Sequence, residues 1–284
     1  TIYDLETASD VHTGVEEAYS VAAIRYRHNH PISRLMRRQW DEDKDDTDSA
    51  WDGFAHWLFE DVEREYQKWV NNRRFLTSYD KQPMTLVAYN GSSFDNYWLL
   101  RHIIHGKNAG GLDTSKYQLE FCMRQGTIIA FTLSRDNPHK SSSRYADATR
   151  CFLRTWDPFL IMTCSLNAAA KGLLDPAFTA TLHKGCFPHS YVSEVGWEAA
   201  FGDPDDKPKR IRAEDFPYHS RATMWDDFER DGLTFNEEEG WVDFPMREQH
   251  DAYLWTDVEL LARVVVALDK LCYNHILKGR SMQN

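Results

Sequence analysis

Asp4 and Glu6 stand two apart in Ile2-Tyr3-Asp4-Leu5-Glu6-Thr7. Asp95 lies in Asn90-Gly91-Ser92-Ser93-Phe94-Asp95-Asn96-Tyr97, and Tyr253 and Asp257 stand four apart in Tyr253-Leu254-Trp255-Thr256-Asp257. Hard divalent ions such as magnesium take oxygen ligands, so a cluster of carboxylates is the donor set they require. If one fold gathers these four acids and the phenol, the chemistry they support is metal-assisted hydrolysis of a phosphodiester.

Each segment carries its own local geometry. Asp4 and Glu6 alternate with Leu5, so a strand points both carboxylates to one face while Leu5 anchors the other. Taken alone, Asp-x-Glu in an acidic chain reads equally well as an exposed pair at a strand edge. Asp95 follows an apolar strand over Met84 to Tyr89 and the Asn90-Gly91 turn, near the start of a helix. There a carboxylate is stabilised and a phosphate is welcome; the competing reading is an ordinary acid in a first helical turn. Tyr253 and Asp257 share a helix face one turn apart. An acid on that otherwise apolar face is costly unless it is paired or metal-bound.

The elements that must position these groups are legible in part. Residues 1–7 form a strand and Tyr19 to Tyr26 a second beside it. An acidic loop, Asp41 to Ser49, leads into a helix from Ala50 to Asn71, with Ser49 as its cap. Its apolar residues Trp51, Phe54, Trp57, Leu58, Val62, Tyr66 and Trp69 recur at helical spacing and read as core. Gln118 to Leu133 reads as two strands about Gln125-Gly126, Arg144 to Leu153 as another, and Pro158 to Ala170 as helix. From His183 to Pro245 Gly and Pro recur among alternating charges, and the stretch over about 190–245 is either an inserted subdomain or a long substrate-facing loop. Glu248 to Ile276 closes the chain as a helix with Val258, Leu261, Val264, Val265 and Leu268 on one face. Strands first and helices interleaved give a mixed α/β domain over residues 1–284. Because the chain opens in what reads as mid-strand, it is expected to be a fragment of a longer protein.

Composition narrows the function classes. With 42% hydrophobic and 13% aromatic residues the 284-residue chain has ample material for a core. A net charge of -11 speaks against a duplex-DNA reader that relies on a basic surface. It leaves room for a nuclease, because cations in a carboxylate pocket reverse the local sign and single strands are held by stacking. No apolar run approaches the roughly 20 residues that span a bilayer, so no membrane partner is expected. Five cysteines without a Cys-x-x-Cys pair fit an intracellular reducing compartment. The spacing of His183, Cys186 and His189 is a weak zinc signal without a second ligand pair. Arg34, Arg37 and Arg38, and also Lys207, Lys209, Arg210 and Arg212, are surrounded by acids and read as solvated surface. His102 and His105 read as structural.

The three acidic segments, in this order, resemble the three exonuclease motifs of the DEDD superfamily. In detail they are most similar to the 3′→5′ proofreading domain of family B DNA polymerases. The Asn-x-x-x-Phe-Asp-Asn-Tyr form at Asn90 to Tyr97 resembles the protein-primed branch of linear plasmids, adenoviruses and small phages. Lys184-Gly185, between the second and third motifs, matches that branch's Lys-Gly-x-x element. The resemblance implies an RNase H-like exonuclease fold, a central mixed sheet flanked by helices, acting on the single-stranded 3′ end of DNA. By the same resemblance Asp4, Glu6, Asp95 and Asp257 hold two Mg2+ or Mn2+ ions, about 4 Å apart across the scissile phosphate. Tyr253 orients the attacking water, Lys184 steadies the phosphate or the water, and Thr7, Asn90 and Phe94 grip the terminal nucleotides. A polymerase domain and a terminal priming protein are the partners it implies, and viral, plasmid or organellar replication the setting.

Ala252 occupies the place where other relatives put a histidine base, so the tyrosine subclass is the better match. Two departures stand out. The Ser/Thr-Leu signature of the protein-primed group is not clean near Asp147-Ala148-Thr149-Arg150. Asp46-Thr47-Asp48-Ser49 spells a polymerase metal motif but lies in a charged loop with no strand before it, and reads as coincidence. Two further readings stay open: a stand-alone exonuclease on DNA or RNA, and an inactive fold kept as a nucleic-acid-binding module.

Overall fold

The computed structural model describes residues 1–9, 14, 16–27, 30–41, 50–71, 82–105, 114–136, 149–181, 185–217 and 220–272. Strand β1 (Ile2–Ser9) is an interior strand of the larger of the two sheets among the described residues. On one side it pairs antiparallel with β2 (Glu16–Arg27), which pairs antiparallel with the edge strand β3 (His30–Arg38). On the other side it pairs parallel with β4 (Met84–Val87), which is parallel to β7 (Thr149–Trp156). The hairpin β5 (Gln118–Arg124) and β6 (Thr127–Asp136) completes the seven-stranded order β3-β2-β1-β4-β7-β6-β5. The tight turn of that hairpin holds Gln125 and Gly126 at φ of 52° and 83°, both in the left-handed region.

Helices cover both faces, as a two-sided core requires. Helix α1 (Ala50–Asn71) packs Trp51, Phe54, Leu58 and Val62 on the face that carries Tyr3, Leu5, Val21 and Ala23. Helix α2 (Asp95–His105) adds Leu99 and Ile103 to the same cluster. The long helix α9 (Met246–Leu271) lies on the opposite face, where Leu254, Val258 and Leu261 meet Ile2, Ala22 and Ile24. Each such side chain contributes roughly 1.5–3 kcal/mol on burial, enough together to fix the orientation of α9 about its own axis. Alternation in β1 therefore sends Ile2, Asp4 and Glu6 toward α9 and Tyr3 and Leu5 toward α1. The outcome is a mixed α/β, RNase H-like arrangement.

Three segments differ from their sequence reading for physical reasons. Strand β3 was not anticipated: it is an edge strand, largely exposed, carrying Pro31 and several arginines, which is how edges avoid pairing with other chains. The helix expected over Pro158 to Ala170 is two, α3 (Phe159–Met162) and α4 (Leu166–Leu173). Thr163 between them adopts φ 51°, and Ser165 caps α4 by accepting a hydrogen bond from the Ala168 N–H. Residues 185–245, which gave no clear periodicity, hold regular elements after the short α5 (Pro176–Thr181). These are α6 (His189–Val195), α7 (Trp197–Phe201), β8 (Lys209–Arg212), α8 (Arg221–Arg230), β9 (Thr234–Asn236) and β10 (Trp241–Phe244). The three strands form a separate sheet, β8-β10-β9. Elements of three to ten residues are too short for periodicity to register.

The core under this second sheet is not its own. Phe187, Phe201, Phe244 and Met246 belong to one cluster with Ala8 of β1, Tyr19 of β2 and Tyr253 of α9. The segment thus packs directly onto the strand and helix that carry the candidate acids. Ser49, the acidic loop after Asp41 and the Asp46-Thr47-Asp48-Ser49 run lie outside the described residues, as do the side chains of His102 and His105 and residues 273–284.

Candidate active site

Strand register places the first two motifs together. Ile2 is level with Val87, and Val87 with Trp156, so β4 and β7 end where β1 has barely begun. Asp4 and Glu6 therefore project past the carboxyl ends of two parallel strands, the place where open α/β sheets bind ligands. Immediately beyond those ends come Asn90 and Asp157. Asp157, buried, accepts hydrogen bonds from the backbone N–H groups of Asn90 (3.0 Å), Ser92 (2.9 Å) and Phe159 (2.9 Å). It ties the turn before α2 to the end of β7.

The turn itself explains Asn90-Gly91. Asn90 sits at φ 60°, which asparagine tolerates better than most side chains. A Cβ at Gly91 would come within 2.8 Å of the Ala88 side chain, so only glycine permits this approach. The turn delivers Asp95 to the first residue of α2, buried at 4% exposure. Burial pushes the Asp95 carboxyl well above the ordinary range, and the Asp4 charge pushes it further. A hydrogen bond to its own backbone N–H opposes them, and Asp157 adds to the rise. Among the described residues the Asp95 Oδ1 atom is buried without a hydrogen-bond partner.

The third motif faces the first. Tyr253 and Asp257 are both buried on α9. Burial raises the Tyr253 hydroxyl well above its usual pKa, and the charges of Asp257, Glu6 and Asp4 raise it further, in that order. Tyr3 and Tyr19 carry the same imprint: after burial, Asp95, Asp4 and Asp157 raise Tyr3, while Glu6 and Asp4 raise Tyr19. Asp4 thus lies within electrostatic reach of Asp95 on one side and of Tyr253 on the other. The donor set is hard oxygen, one of it orphaned in the interior, and its chemistry fits a divalent cation. Among the described residues no three of these acids close into a ready-made metal-binding group; mutual repulsion works against a tighter cluster.

Thr7 is half-buried on β1, next to Glu6, and Asn90 and Phe94 are exposed on the turn before Asp95. Phe94 is 39% exposed and offers a ring face to solvent. Lys184 and His183 lie outside the described residues. Cys186 and His189 do not converge as a zinc pair. The Cys186 sulfur sits 3.6 Å from Asp227 Oδ2, and His189 turns instead to Glu6 and Tyr253. The arginine groups behave as surface. Arg34 pairs with Glu259, Arg38 with Asp41 and Asp251, Arg210 with Asp243, and Arg212 with Glu194, Glu214 and Asp215.

Sequence reasoning missed two supports. Asp157 was readable in principle, since an Asp before a Pro commonly receives nearby backbone N–H groups. His250 had no local signal. Fully buried one turn before Tyr253, its Nε2 lies 2.8 Å from the hydroxyl of Ser20, the residue opposite Glu6 in β2. Its Nδ1 is 3.3 Å from Asp251, and burial holds its pKa below the usual histidine value. Ser20 and His250 here form a buried strut between β2 and α9, with the half-buried Asp251 at its outer end.

A sequence model of the family described as DNA polymerase type B, organellar and viral, matches residues 76–281, more than half of the chain. The chain belongs to this family. The match takes in Asp95, Tyr253 and Asp257, and leaves Asp4 and Glu6 ahead of it. No curated protein and no solved structure matches the chain. Membership gives this type B polymerase chain a polymerase-associated role in DNA replication, with DNA as what it acts on. Among its described residues no helix is long and apolar enough to cross a membrane.

Proposed function

We propose that this chain is the metal-dependent 3′→5′ exonuclease region that proofreads for its polymerase. It releases 5′-mononucleotides from single-stranded DNA 3′ ends. The observation that carries this reading is the convergence of charge from three distant segments. Asp4 of β1 acts on Asp95 of α2, and Asp257, Glu6 and Asp4 act together on Tyr253 of α9.

Asp4, Glu6, Asp95 and Asp257 would hold two Mg2+ or Mn2+ ions. Bound there, the cations supply a more acidic water and charge stabilisation for the oxygen that leaves phosphorus. Tyr253, its hydroxyl kept protonated by burial and its acidic neighbours, orients the attacking water. The exposed Phe94 ring stacks on a terminal base, while Thr7 and Asn90 grip the last nucleotides and Lys184 steadies the phosphate. A polymerase domain would supply the primer end, and a terminal protein would prime synthesis.

The test uses single-stranded oligonucleotides labelled at either end. Stepwise shortening from the 3′ end, abolished by EDTA, is the expected result. Cleavage that ignores EDTA, or internal cutting, would overturn the reading. Matched DNA and RNA substrates read the sugar preference, which rests on contacts to the 2′ position.

A further inference from the structure

His189, the first residue of α6, stands between two groups of the site. Its Nδ1 is 3.7 Å from Glu6 Oε2 and its Nε2 is 3.3 Å from the Tyr253 hydroxyl. The Tyr253 ring is meanwhile stacked on Phe187, with centroids 5.3 Å apart. One α6 side chain therefore touches both the first and the third acidic segment. We propose that His189 is a positioning residue that fixes the direction of the Tyr253 hydroxyl, a role that rests on the exonuclease reading above.

The argument is one of proton placement. A carboxylate beside Nδ1 favours the proton on that nitrogen, which leaves Nε2 with its lone pair. The Tyr253 O–H then donates to Nε2. With its own proton committed, the phenol oxygen turns its lone pairs outward and can accept from a water beside the acids. Without His189 the hydroxyl loses this acceptor, and with it one constraint that keeps its proton from being aimed at the water. The stacked Phe187 ring holds the phenol in plane, and His189 sets its rotor. The segment 185–245 thereby acquires a task at the site: it brings His189 and Phe187 to Tyr253. The His189 ring also lies edge-on to Phe187 and Tyr253, with centroids 5.0 and 5.5 Å away, so a glutamine variant that keeps part of this packing serves as the control.

The experiment compares wild type, His189→Ala and His189→Gln, with two readouts. The first is the 13Cζ resonance of Tyr253 in metal-free, tyrosine-labelled protein, assigned by its loss in Tyr253→Phe. The second is kcat and KM on a single-stranded DNA oligonucleotide with Mn2+. His189→Ala is expected to move the Tyr253 line and to lower kcat about tenfold, with KM little changed. Glutamine, whose amide can also accept from the phenol, is expected to restore most of both. An active wild type with an unmoved line, or with unchanged kcat in His189→Ala, sinks the positioning role alone. An inactive wild type with a shifted line removes the exonuclease reading and this role with it.

Discussion

Two sets of buried aspartates in this chain live in opposite surroundings. Asp61 of α1 is bridged by Arg25, at 2.5 Å, and by Arg64. In the 185–245 segment, Asp227 meets Arg230 at 3.0 Å, and Asp215 accepts from the Arg212 backbone N–H and lies 3.6 Å from that residue's guanidinium. Each of these acids has an arginine beside it and serves to hold an element in place. Asp95 is as deeply buried, yet the charges that dominate its surroundings are those of Asp4 and Asp157, both acids. Burial with a cation beside the carboxylate stabilises a fold; burial among other carboxylates costs stability and persists where a site needs it.

That contrast can be broken at either end. The largest effect is expected at the acids themselves: Asp4→Ala or Asp257→Ala should drop 3′-end hydrolysis to background while leaving the circular dichroism spectrum unchanged. Wild-type turnover in either variant would remove that residue from the site. At the opposite pole, Asp61→Asn should cost about 3 kcal/mol in denaturant unfolding, because it strands the Arg25 guanidinium in a buried setting. Hydrolysis per folded molecule should stay the same.

Smaller effects sharpen the comparison. Tyr253→Phe should lower kcat about tenfold, since it removes only one hydrogen bond to the water. Asp95→Asn should do the reverse of Asp61→Asn and stabilise the metal-free protein by about 1 kcal/mol near neutral pH. The sign follows from the raised pKa. A carboxyl whose folded pKa lies above its ordinary 3.8 has its full stability below that value, and loses it as pH rises through the folded pKa. Melting curves from pH 4 upward should therefore fall more steeply for wild type than for Asp95→Asn. Parallel curves would mean that Asp95 carries no such strain.

Much of the architecture was legible because its signals are local. Ile2 to Thr7 alternates, Ala50 to Asn71 repeats at helical spacing, and Asn90-Gly91 marks a turn that only a left-handed asparagine and a side-chain-free glycine can make. The acids were legible as three contexts, but their nearness rests on register: Ile2 level with Val87 is a fact about strand pairing that no single segment contains. The same holds for the long-range contacts of Asp157 with Ser92 and of His250 with Ser20, which are 65 and 230 positions apart. His189 was legible only as a weak zinc spacing. Its real neighbours, Glu6 and Tyr253, become visible once the short helices and strands of 185–245 fold onto β1 and α9.

Calorimetric titration of Mn2+ into wild type, Asp4→Ala and Asp257→Ala tests most directly whether acids from β1 and α9 share one cation site. Saturable binding to wild type, lost in both variants, is the expected result. No uptake by wild type, or undiminished uptake by either variant, would contradict a shared site and leave the acids as separate features of the fold.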